Sequence, residues 1–108
     1  MRLDWAEGAG DVVWSNDRQE GYLRLASLEA NDPGQVQYQL WIFDGRRHVF
    51  NAVDGGVFDV APGGELVVPI DPKLAVFEPV LFAITSEPPG GVVVSDRSRI
   101  ATLALPQG

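Results

Sequence analysis

The chain contains no cysteine, a single histidine and a single methionine among its 108 residues. Without cysteine there is no thiol nucleophile, no Cys-ligated zinc and no disulfide framework. This leaves the compartment open, since a cysteine-free domain is stable at either redox poise. Long apolar runs are also missing. The longest, such as Val80-Leu81-Phe82-Ala83-Ile84, is strand-sized and far short of the ~20 residues a membrane helix needs. The opening Met1-Arg2-Leu3-Asp4-Trp5 has no apolar core of a signal peptide. Basic charge is scarce as well, with 8 Lys and Arg against 15 Asp and Glu and a formal net charge of -7. Phosphate backbones are bound by clustered cations, and the two small basic spots, Arg46-Arg47 and Arg97/Arg99, do not form such a cluster. No nucleic-acid partner is expected.

What is present is alternation. Val36, Tyr38, Leu40 and Ile42 alternate with Gln37, Gln39, Trp41 and Phe43, so a strand here sets one wholly apolar row on a core. The other row runs from amide to aromatic. Both faces near Trp41 are therefore expected to be covered, which suits a central strand of a two-layer β structure. Further strands are expected at Val12-Val13-Trp14, Tyr22 to Leu28, Val57 to Val60, Glu65 to Ile70, Pro79 to Thr85, and a last pair, Val92-Val93-Val94 with Ile100 to Leu105. Ser15-Asn16-Asp17, Asn31-Asp32-Pro33-Gly34, Asp54-Gly55-Gly56, Pro62-Gly63-Gly64 and Glu87-Pro88-Pro89-Gly90-Gly91 carry turn chemistry. Asp71-Pro72-Lys73-Leu74 reads as one helical turn, with Asp71 as cap. Residues 1–10 read as a leader of low order or a stalk, and residues 11–108 as one domain. The expected class is all-β: a single-domain antiparallel sandwich of about seven short strands, Ig-like in general architecture.

Reactive constellations are thin. His48 is the one candidate general base and sits in a polar loop beside Arg46 and Arg47. No Gly-x-Ser-x-Gly and no His-Glu-x-x-His accompanies it. Asp54, Asp59 and Asp71 lie near glycines, but they lack the alternating acidic loop and closing Glu of a calcium site. Gly90-Gly91 is followed by neither a helix nor a Lys-Ser/Thr pair, so it is not a phosphate loop. Trp5, Trp14 and Trp41 are aromatics available for a ligand platform; Trp14 and Trp41 are expected in the core. No catalytic residue, cofactor or metal is expected.

Val13-Trp14-Ser15, Tyr38-Gln39-Leu40-Trp41, Asp54-Gly55-Gly56-Val57-Phe58 and the run from Phe82 to Gly91, ending Thr85-Ser86-Glu87-Pro88-Pro89-Gly90-Gly91, together resemble the C-terminal domain of the anti-sigma-K factor (RskA-type) family. The resemblance covers about Asp11 to Leu105. The chain departs from the family's pattern after Gly91, where Val92-Val93-Val94-Ser95-Asp96-Arg97 replaces a Ser and a Pro-Thr-Gly-Pro stretch. Matching positions are Trp14, Tyr38, Gln39, Leu40, Trp41, Gly56, Val57, Phe58, Thr85, Glu87, Pro88, Gly90 and Gly91, and their expected role is structural.

The resemblance implies an extracytoplasmic sensor or regulatory domain of a membrane-anchored anti-sigma factor. In such a protein a helical region N-terminal to the membrane span holds an extracytoplasmic-function (ECF) sigma factor, and a periplasmic or membrane protease releases it. The competing readings are a free-standing extracellular module binding a peptide or glycan through Trp5, Tyr22 or an open strand edge, and a hydrolase using His48. Titration with sugars and peptides separates the first two, since the regulatory reading expects no affinity. Unchanged activity in a His48→Ala variant would sink the third.

Overall fold

The computed structural model describes residues 1–6, 9–26, 28–46, 52–62, 65–93, 95 and 99–104. Eight strands occur among them and no helix: β1 (Arg2–Asp4), β2 (Ala9–Ser15), β3 (Glu20–Ala26), β4 (Gln37–Asp44), β5 (Val53–Phe58), β6 (Leu66–Pro69), β7 (Pro79–Glu87) and β8 (Ile100–Ala104). They form two antiparallel four-stranded sheets, in the orders β1-β2-β3-β6 and β5-β4-β7-β8. The chain is a β-sandwich. With β1 set aside, the neighbours follow an Ig-type scheme: β2-β3-β6 take the places of A-B-E, and β5-β4-β7-β8 those of C′-C-F-G.

The alternating rows explain the core. Tyr38, Leu40 and Ile42 of β4 and Phe82 and Ile84 of β7 point inward against Val12, Trp14, Leu23 and Leu25 of the first sheet. Trp14 meets Phe82 across the layers, with ring centroids 6.2 Å apart and tilted by 59°, a favourable edge-to-face arrangement. Tyr38 stacks on Phe58 at 5.8 Å and donates its hydroxyl hydrogen to the Glu29 carbonyl at 2.8 Å. Burial, then the nearby Glu29 charge, raises its pKa.

Four expectations are corrected. The low-order leader is instead paired: Arg2–Asp4 forms β1 against β2, and Trp5 is a core residue at 5% exposure. A three-residue strand is too short to show a period, which hid it. Asp54-Gly55-Gly56 is not a reversal but the middle of β5, where the pairing with β4 slips between Leu40 and Trp41. Gly56 has φ +115, and a side chain on Gly55 would press into Leu40 at 2.8 Å, so glycines serve a bulge here. Residues 71–74 form no helical turn; Asp71 and Lys73 donate their amides to the Gly55 and Asp54 carbonyls, which cover the edge of β5. Val92-Val93 is not a strand.

The outer face of the first sheet carries a charged knot. Asp11 is 2% exposed. It accepts a forked pair from Arg24, Nε at 2.6 Å and a terminal nitrogen at 2.5 Å, and a third bond from Arg2 Nε at 2.5 Å. Arg24 chiefly, then Arg2, outweighs the burial and lowers the Asp11 pKa to about 2. A depressed carboxylate adds stability that is complete above the unfolded value near 3.8 and is lost as pH falls through about 2. Both guanidiniums are more than half exposed, so screening trims the contribution to on the order of 1–2 kcal/mol. Asp11→Asn is therefore expected to cost that amount at neutral pH and to flatten the stability profile between about pH 4 and pH 2. Urea unfolding at stepped pH measures both effects.

Candidate functional site

Seven of the family-like residues, Gln39, Trp41, Thr85, Glu87, Pro88, Gly90 and Gly91, converge on the outer face of the second sheet and the turn that follows it. Antiparallel register sets Gln37 opposite Glu87, Gln39 opposite Thr85 and Trp41 opposite Ala83, and alternation turns all six away from the core. The small Ala83 leaves space beside it for the indole. Trp41 is nevertheless only 3% exposed and Gln39 only 1%. Gln39 is covered by the segment after β7, which turns at Pro88 (Gly91 N–H to the Pro88 carbonyl, 2.9 Å) and lies over the sheet at Gly91 and Val92.

Two side-chain amides hold that strap. Gln39 donates through Nε2 to the Val92 carbonyl at 3.0 Å and accepts the Val92 N–H on Oε1 at 2.9 Å. The amide thus reproduces both bonds of a strand pair, and a backbone segment is held where no strand lies. Gln37 accepts the Gly90 N–H at 2.8 Å and donates to Asp59 at 3.0 Å. Gly90 and Gly91 have φ of +90 and +77, a region that side chains with a Cβ avoid. At Gly91 a Cβ would also lie 2.7 Å from both Gln39 Oε1 and Val57; at Gly90 no atom lies within 4 Å.

Beneath the strap lies a buried polar chain. The Trp41 indole N–H donates to Thr85 Oγ1 at 2.9 Å, and Thr85 donates to Glu87 Oε2 at 2.6 Å. Ser95, at the far end of the strap, donates to the same oxygen at 2.5 Å. A carboxylate this buried is tolerated because hydroxyls solvate it.

Beside the strap opens a groove of about 450 Å³, with Ala52, Leu74, Val92 and Val93 as apolar lining and Asp54 and Lys73 as its ionisable groups. Both of these are engaged: Lys73 pairs with Asp71 at 2.5 Å, and Asp54 accepts the Gly56 N–H at 2.8 Å. The described lining residues include no nucleophile–base pair of the kind acyl or glycosyl transfer requires.

The model of the family "Anti-sigma-K factor rskA, C-terminal" matches residues 4–98 of this chain. The chain belongs to that family. No curated protein and no solved structure matches it. Membership in the anti-sigma-K factor C-terminal family makes this a regulatory domain of an anti-sigma factor.

Within that family frame, the thirteen matching positions fall in three places. Trp14, Tyr38, Leu40 and Phe58 lie in the core. Gln39, Trp41, Thr85, Glu87, Pro88, Gly90 and Gly91 build the strap and its seat, with Val57 against Gly91. Gly56 shapes the β5 bulge. The three carboxylates weighed for calcium each have their own partner: Asp54 with Gly56, Asp59 with Asn31 and Gln37, Asp71 with Lys73. Among the described residues no group of three or more potential ligands comes together. His48 and Arg47 lie outside the described residues.

Several structural residues escaped the sequence reading. Asp44 accepts the amides of Arg46, Phe77 and Glu78 at 2.8–3.0 Å, which fastens the approach to β7. Gln19, at φ +56, uses its side-chain amide on both backbone groups of Val76 at 2.7 Å. This is the same device as Gln39 with Val92. Nothing in the sequence distinguishes such an amide from an exposed one.

The glycine pair supplies a graded test. Gly90→Ala meets only the backbone penalty, about 1–2 kcal/mol. Gly91→Ala adds the collision with Gln39 and Val57 and is expected to cost on the order of 3 kcal/mol or more. Comparative urea unfolding measures the order, and equal costs would mean that the strap is not seated on Gln39.

Proposed function

We propose that this chain is the extracytoplasmic regulatory domain of a membrane-anchored anti-sigma factor that restrains an ECF sigma factor. The observation that carries the proposal is the family match across residues 4–98. The character of the candidate site supports it: the residues that carry the motifs, Gln39, Trp41, Thr85, Glu87 and Gly91, are engaged in holding the fold's own strap, in keeping with a module that acts through its folded state. Sigma-factor binding belongs to a region N-terminal to this domain. The domain performs no chemistry; it guards the connecting chain, and a periplasmic or membrane protease cuts that chain when the fold yields.

The alternative, a free-standing binder of peptides or glycans, loses one of its two aromatic contacts, because Trp5 is buried. Tyr22 remains exposed on the first sheet.

Reading the native gene upstream of Arg2 in the same frame tests the proposal. The expected finding is ~20 consecutive apolar residues preceded by an amphipathic helical region. A secretory signal peptide directly before the domain would favour the free binder and overturn the regulatory reading.

A further inference from the structure

The N-terminal residues do more than add an edge strand. Met1 exchanges backbone bonds with Trp14, both at 2.9 Å, and Arg2, Leu3 and Asp4 pair with Val13, Val12 and Asp11 in the first sheet. The same extended segment then leaves that sheet. Trp5 bridges to Ala104 of β8, and the Ala6 N–H donates to the Leu103 carbonyl at 2.8 Å. One short segment therefore stitches the open edge of one sheet to the open edge of the other.

Its attachment is uneven. Leu3 and Trp5 are buried in the core, and the Trp5 indole donates to the Arg24 carbonyl at 3.1 Å. Arg2 and Asp4 are exposed, with Arg2 reaching across to Asp11 of β2. β1 has a neighbour strand on one side only, whereas β4 and β7 are paired on both. The other short edge strand, β6, is fastened beyond its end by the Ile70 and Asp71 amides, bonded to Gly21 and Gly55 in the two different sheets.

We infer that residues 1–6 form a latch that detaches as a unit while the two sheets remain folded. Release uncovers the edges of β2 and β8 together with the seats of Leu3 and Trp5, and it frees an extended segment from its pairing. Edges and segments of that kind are what an extended-chain partner or a protease engages. In the anchored protein proposed above, chain entering from the membrane side reaches the fold through β1, so the latch is the point at which the domain gives way first. That functional direction rests on the regulatory reading; the opening itself does not.

Amide hydrogen exchange on the 108-residue protein tests the inference, with a disulfide as control. The chain has no cysteine, so Arg2→Cys with Val13→Cys introduces one possible bridge. These two are register partners next to the bonded Met1–Trp14 pair, hence at a non-hydrogen-bonded position where Cβ atoms are close. In the parent protein the Leu3, Trp5 and Ala6 amides are expected to exchange at least ~100-fold faster than those of Ile42 and Phe82. Oxidising the double variant is expected to slow all three at least ~10-fold relative to its reduced form. Exchange of the three amides at the rate of Ile42 and Phe82 would overturn the latch, as would rates unaltered by oxidation. An anchor upstream of Met1 has no bearing on either rate, so the latch and the regulatory reading fail separately.

Discussion

Trp41 imposes the constraint on which the outer half of the molecule depends. A sandwich buries the inner faces of its sheets and leaves the outer faces to water. β4 breaks that arrangement by placing an indole on the outside, beside Ala83. Something must cover it, and no ninth strand or helix among the described residues does so. Next to it on β4, Gln39 is covered by an irregular backbone segment, and irregular backbone over a sheet must still satisfy its polar groups. Gln39 meets that need by bonding both backbone groups of Val92, Gln37 secures Gly90, and the Glu87 carboxylate ties Ser95 back to the sheet. The left-handed glycines let the chain approach closely enough for these bonds to form.

The inner half of this arrangement was legible in the sequence, and the physical reason is period. Tyr38, Leu40 and Ile42, or Phe82 and Ile84, alternate over enough residues that only a half-buried strand accounts for them, and the structure buries them all. Shorter or aperiodic elements were not legible. Arg2–Asp4 is three residues long, and the glycines at 8 and 10 argue locally for disorder. Asp-Gly-Gly is chemically the same signal at a hairpin and at a bulge, so Asp54-Gly55-Gly56 reads as a turn from sequence and is a bulge in the fold. Val92-Val93-Val94 has strong strand propensity, yet its described part pairs with a side-chain amide, a partner that propensity does not encode. Gln39 itself reads as a solvent-facing residue until the strap is known to cross it.

The same distinction bears on function. Sequence motifs identified the family, and the geometry explains why those motifs hold together: Tyr-Gln-Leu-Trp and Thr-x-Glu-Pro-x-Gly-Gly are the two halves of one clamp. A domain whose distinctive residues maintain its own closure is suited to a role in which stability is the signal. Folded domains are stable by only about 5–15 kcal/mol, so the clamp, and the latch proposed at residues 1–6, would each control a sizeable share of the total. Local opening then has a defined structural meaning at the strap and at residues 1–6.

The most direct test of the proposed regulatory role compares the native sequence with Gln39→Ala in the bacterium that carries the gene, following proteolytic processing of the gene product and sigma-dependent transcription. Loss of the amide removes both bonds to the half-buried Val92 backbone, at a cost of about 1–3 kcal/mol, and the proposal predicts processing accelerated several-fold together with higher sigma-dependent output. Processing and output unchanged in a variant whose domain is measurably less stable would contradict it.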